Sequence, residues 1–163
     1  MHFLRPPRND TRRIALFAGA FHPPTLAHAA LADAAKVAVE ETLWVLPRSF
    51  PHKQFDAVSL EQRCEMLLAA GDFPVAIADS NYFFAMAEEL RSALPAAEVH
   101  LLLGEDGAER LFTWDYGLSP AEARRMLLDR AREFPLLAAR RHGERRVPPD
   151  FASLVRWLDL PDW

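Results

Sequence analysis

The chain has 163 residues, half of them hydrophobic and 26% charged, which suits one domain with its own core. A net charge of -4 excludes a general pull toward nucleic acid or anionic membrane. Cys64 is the only cysteine, which excludes an intrachain disulfide and a multi-cysteine zinc site and fits a reduced, cytoplasmic setting.

The first thirteen residues carry Arg5, Arg8, Arg12 and Arg13 without an apolar run, and read as a loose N-terminal tail ahead of a domain over residues 14–163. Residues 14–18 form a short apolar run that stops at Gly19, the pattern of a buried strand. A helix follows from about Thr25 to Val39, with Leu26, Ala30, Ala34 and Val37 on one face. Residues 42–46 are a second strand, and the proline-bearing stretch 47–58 is a loop. Ser59 and Gln62 make a capping box that opens a helix to about Ala70. Residues 73–78 are a third strand. A helix begins at Ser80 or Asn81 and ends near Pro95, and residues 98–103 are a fourth strand stopped by Gly104. Ser119 and Glu122 form another capping box, with Pro120 at the first helical position. That helix runs to about Glu133, and residues 134–139 are a fifth strand. Residues 140–149 are a basic connector, and Asp150 caps a last short helix.

Alternating strands and helices imply βαβ crossovers and an α/β fold: a largely parallel sheet of about five strands with helices on both faces. Ligands of such sheets bind beyond the carboxyl ends of the strands, so the loops after strands one, two and four are the candidates.

The first of these reads GAFHPPTLAH over residues 19–28. Gly19 lets the backbone turn and approach a ligand. The unpaired N–H groups of the following helix start make an anion site, and the hydroxyl of Thr25 and the ring of His28 lie in its first turn. On these residues alone, an ordinary strand-to-helix turn with a capping threonine stays open as the alternative. The second loop holds His52 and Lys53. Lysine occurs only at positions 36 and 53, so Lys53 stands out as a mobile charge for phosphate. A solvated loop charge is the alternative. In the third loop, Asp106 could accept from ribose hydroxyls, or the loop could simply supply the N-cap of the next helix. His100 alternates within an apolar strand and reads as a satisfied core residue. No P-loop, nucleophile elbow or HExxH helix is present.

The order GAFHPPTLAH, then Pro51-His52-Lys53, then LLLGED, then Trp114 resembles the HxGH-type nucleotidyltransferases. Within these it is most similar to the bacterial nicotinate-mononucleotide adenylyltransferases. The helix beginning SLEQRCEM is similar to that family's S-x-E-x-R-x-x-M helix, and the resemblance covers roughly residues 14–140. It implies a Rossmann-like sheet, ATP and a phosphorylated small-molecule acceptor as partners, and magnesium carried by the nucleotide with no protein metal site. His28, Lys53 and Thr25 are then expected at the reacting phosphates. The backbone of Gly19, Ala20 and Phe21 would cradle phosphate, and Gly104 and Asp106 would hold the adenosine side. His52, Tyr82 and Trp114 would face the acceptor. The sequence departs from the family at Thr25 (His in the subgroup), Ala27 (Gly) and His22 (Asn or Asp). The stretch Asp79-Ser-Asn-Tyr-Phe-Phe84 stands in place of a Ser-Tyr-Thr segment. The family's Ser-Ser/Thr-x-x-Ile-Arg segment does not occur before Trp163, and Arg140 is expected to contribute part of its role. Two alternatives stay open: the same chemistry on a phosphopantetheine or sugar phosphate, and a nucleotide-binding module without turnover.

Overall fold

A computed structural model describes residues 1–49, 58–139 and 147–160. Its elements run β1 (His2–Arg5), β2 (Arg13–Ala18), α1 (Leu26–Ala34) with a 3-10 turn (Ala35–Val37), β3 (Glu41–Pro47), α2 (Leu60–Ala70), β4 (Val75–Ala78) and α3 (Phe83–Ala93). They continue with β5 (Glu98–Gly104), α4 (Glu105–Thr113), α5 (Pro120–Glu133), β6 (Leu136–Ala139), α6 (Pro149–Ala152) and β7 (Val155–Leu158). Among the described residues one seven-stranded sheet has the order β1-β4-β3-β2-β5-β6-β7. Every pairing is parallel except β1 with β4.

The inner strands are buried on both faces, which is why they read as unbroken apolar runs. On one face, Leu31 of α1 and Cys64 and Leu67 of α2 pack on Phe17, Trp44 and Ile77. On the other, α3, α4, α5 and α6 supply Met86, Leu90, Leu111, Leu127 and Phe151 against Ile14, Leu43 and Leu101. The order reverses between β2 and β5: β2 leads outward through β3 and β4, β5 through β6 and β7. The crevice at that reversal opens at the carboxyl ends of β2 and β5, beside Gly19 and Gly104.

The α/β class and the capping boxes of α2 and α5 agree with the sequence reading. The sheet is larger than the expected five strands. Where a loose tail is expected, residues 2–5 form β1: Arg5 Nη1 donates to the carbonyls of Gly71 (2.5 Å) and Phe73 (3.1 Å), and Nη2 to Leu68 (3.3 Å). Those carbonyls lie at and beyond the end of α2, so the basic residue satisfies a helix terminus. β7 also goes beyond the reading, since its polar Arg156 interrupts the apolar pattern at an edge. Asp150 lies inside α6, whose N-cap is Pro148. The buried side of the first helix is Leu31, Ala35 and Ala38, whereas Leu26 is 77% and Val37 67% exposed. The buried side and the expected stripe both have helical spacing in this alanine-rich segment, so spacing alone does not tell which side turns inward. α4 follows the third loop as a helix capped by Gly104, with Asp106 in its first turn; its extent to Thr113 is obscured in the sequence by Gly107 and a short apolar repeat.

Candidate active site

Phe21 organises the first loop. It has φ 44°, a left-handed backbone that a non-glycine residue rarely adopts, and its ring is 2% exposed. The ring packs edge-on to Phe17 at 5.2 Å and against Trp44 at 5.0 Å. A Cβ on Gly19 would lie 2.9 Å from Phe21 Cζ, so the glycine is required by this turn.

The same ring sets His28, whose centroid lies 5.2 Å away at 72°. Thr25 is the N-cap of α1 and His28 occupies the capping-box position three residues on. The Thr25 backbone N–H donates to His28 Nδ1 at 3.0 Å, and Thr25 Oγ1 lies 2.7 Å from the same nitrogen. In the neutral ring, Nδ1 is thus the acceptor and Nε2 carries the proton. Thr25 serves as both the cap and the group that orients the histidine.

Two cavities meet at Gly19. The first, of about 270 Å³, is lined by Gly19, Phe21, Thr25, Ala27 and His28 on one side and Gly104, Glu105, Asp106 and Gly107 on the other, with Ala139 and Leu160. The second, of about 200 Å³, is lined by Ala18, Gly19, Ala20 and Pro47, by Asn81, Phe83 and Met86, and by Asp106, Gly107, Arg110 and Trp114. Ala18, Gly19, Asp106 and Gly107 belong to both.

Two helix starts face the first cavity, and their charges differ. The first turn of α1 carries no acid, while that of α4 carries Glu105 and Asp106. The α1 end therefore suits an anion, and the α4 end, already balanced by carboxylates, suits hydroxyl donors. In the second cavity Trp114 meets Tyr82 edge-on at 5.1 Å, and Tyr82 lies 6.0 Å from Tyr116. The Tyr116 hydroxyl donates to the Leu111 carbonyl at 2.8 Å, and burial pushes its pKa up to about 12.

The structure thus brings together Gly19, Ala20, Phe21, Thr25, His28, Gly104, Asp106 and Trp114. Tyr82 touches Trp114 without lining either cavity. His52, Lys53 and Arg140 lie outside the described residues; Ala139, which precedes Arg140 in the chain, lines the first cavity. Asn81, Phe83, Gly107 and Arg110 were missed. The last two follow from α4, whose i, i+4 spacing places Asp106, Arg110 and Trp114 on one side. His100 is buried as expected, but among the described residues its ring nitrogens find no well-aligned hydrogen bond. Its Nε2 lies 3.1 Å from Glu98 Oε1, an ion pair whenever the ring is protonated.

A switch-point crevice between an acid-free helix start and an acidic one, with an aromatic side cavity, is the kind of site at which an open α/β sheet binds its ligands. Residues 16–114 match the cytidylyltransferase-like family, and the chain belongs to it. A probable nicotinate-nucleotide adenylyltransferase of Exiguobacterium sibiricum is 30% identical over 160 residues, covering 91% of this chain and 79% of that protein. A protein of the same description from Albidiferax ferrireducens is 34% identical, covering 63% of this chain and 58% of its own. The fold is similar to that of Plasmodium falciparum nicotinic acid mononucleotide adenylyltransferase complexed with APC, with a TM-score of 0.64 at 16% identity over 93% of this chain and 76% of that one. No helix among the described residues is long and apolar enough to cross a membrane.

Proposed function

We propose that this chain transfers the adenylyl group of ATP to the phosphate of nicotinate mononucleotide. An acceptor phosphate oxygen attacks the α-phosphorus, a new P–O bond forms, and the bond to the β-phosphate breaks to release pyrophosphate. The observation that carries this reading is the pair of cavities meeting at Gly19, one with an anion-receptive helix start and one with an aromatic wall. Two bound molecules would there bring their phosphates to a common wall, converting an encounter into a positioned reaction.

In this scheme the backbone of Gly19, Ala20 and Phe21 and the start of α1 cradle the triphosphate. His28, held by Thr25 with its proton on Nε2, donates to the phosphate oxygens that gain charge as pyrophosphate leaves. Gly104 and Asp106 take the adenosine side, the carboxylate accepting from ribose hydroxyls. Trp114, backed by Tyr82, stacks on the acceptor ring. The described residues lining the first cavity include no lysine or arginine, so Lys53 and Arg140 are the cations proposed to balance the phosphates, with His52 orienting the acceptor. Among the described residues no group of three or more His, Cys, Asp or Glu is placed to hold a metal. Magnesium is accordingly proposed as a guest of the nucleotide phosphates, where it would neutralise charge.

The test is pyrophosphate release from ATP, magnesium and nicotinate mononucleotide, beside a panel holding phosphopantetheine and sugar phosphates. The reading expects turnover of the nicotinate compound that falls roughly a hundredfold or more in His28→Ala. Turnover of a different acceptor in preference, or a wild-type rate no higher than that of the variant, would refute it.

A further inference from the structure

Arg110 lines the second cavity and is exposed at its mouth. Among the described residues lining that cavity it is the only cation. It also lacks a hydrogen-bond or ion-pair partner among the described residues, as does Arg125 on the outer surface of α5, whereas Arg91, Arg124, Arg130 and Arg132 are each held by a carboxylate. A partner at favourable spacing exists one turn earlier, since Asp106 and Arg110 stand i, i+4 with the acid first. That pair is nevertheless not formed. The guanidinium is left beside a wall that is mostly apolar, with Ala18, Phe83, Met86 and Trp114 around it.

An aromatic wall with one uncommitted planar cation suits a flat ring that bears an anion. Guanidinium binds carboxylate through two parallel hydrogen bonds, and gains most where the surroundings are apolar. The acceptor has two anionic groups. Its phosphate must reach the wall shared with the first cavity, where the Gly19 backbone and the start of α1 receive it. The ring end has no other cation among the described lining residues. We propose that Arg110 binds the ring carboxylate of the acceptor and so makes this site choose a pyridine carboxylic acid over the corresponding amide. The step rests on the adenylyl-transfer reading above for the identity of the acceptor.

The test combines calorimetric binding and steady-state turnover of nicotinate and nicotinamide mononucleotides by wild type, Arg110→Gln and Arg110→Lys. The wild type should bind the acid more tightly than the amide. Arg110→Gln should weaken the acid roughly tenfold to a hundredfold, mainly in KM, and the amide less than about twofold. Arg110→Lys should recover part of the loss, because it restores charge without the planar pair of donors. The variants should melt within about 2 °C of wild type, as the side chain is exposed and holds no partner. Equal loss on acid and amide would assign Arg110 to the phosphate and overturn the proposal, as would no loss on either. If wild type binds the acceptors but releases no pyrophosphate, adenylyl transfer fails and the binding data still decide Arg110. If it binds neither, both readings fail.

Discussion

At the scale of single residues, the loop after β2 depends on mutual support between small and large side chains. Gly19 leaves room for Phe21, Phe21 braces His28, and Thr25 fixes the tautomer of His28. Gly19→Ala should force the Phe21 ring out of place and cost about 1–3 kcal/mol, read as a lower urea midpoint; an unchanged midpoint would show that the loop adapts freely. Thr25→Ala should cost about 1 kcal/mol of stability through the lost cap, and should also lower turnover because His28 keeps only the backbone donor on Nδ1. A stability loss without any kinetic effect would sink the orienting role. This loop was legible in the sequence because glycine, threonine and histidine lie within ten residues and act locally. Phe21 was legible only as backbone, since its role comes from Trp44 and Phe17 on the sheet below. Arg110 was not legible, because its importance depends on a cavity wall built by α3, β2 and α4 together.

At the scale of elements, α3 and α5 are joined by a cluster of four charges. Arg91 pairs with Glu88 and Glu133, and Arg130 lies 2.5 Å from Glu88 and 2.8 Å from Glu133. Arg91 also covers the Phe134 ring at 5.0 Å. The side chains are 30–43% exposed, so solvent screens much of the attraction. Glu88→Gln should lower Tm by about 2–4 °C at low salt, and the difference should shrink in 1 M NaCl. A salt-independent change would point to packing instead. These pairs were invisible in the sequence, which shows only that α5 is rich in both signs of charge. The capping boxes of α2 and α5 were visible because their partners stand three residues apart. β1 was not, because an arginine that closes a helix 63 to 68 residues away is indistinguishable in sequence from one in a solvated tail.

Over the whole molecule, acid should destabilise the fold in two stages. Burial is the main influence on His100 and holds its imidazole below the ordinary value near 6.5, although Glu98 opposes this. A neutral native histidine contributes its stability above that value, and the contribution is lost as pH falls from there toward the lowered native pKa. The carboxylates form the second stage. Glu40 is held below its usual range by the Arg12 backbone N–H, Asp79 by Arg48 and Glu133 by Arg91. Their stabilisation is complete above the ordinary carboxylate range and disappears as pH drops through the lowered values. Urea midpoints measured from pH 8 to 3 should therefore fall first below about 6.5 and again below about 4. His100→Leu should remove the first decline; identical curves for the two proteins between pH 7 and 5 would contradict this. The pairing of β1 has a consequence for the molecule's behaviour among its own copies. β4 is the sequence Val-Ala-Ile-Ala, fully buried, and β1 lies along it on the side away from β3. Deleting residues 1–10 would expose an apolar strand edge with unpaired backbone groups, which is a template for joining sheet to sheet. The short, arginine-bearing first strand then acts as a guard against polymerisation, and light scattering of the shortened protein should rise with concentration where that of the full chain stays flat.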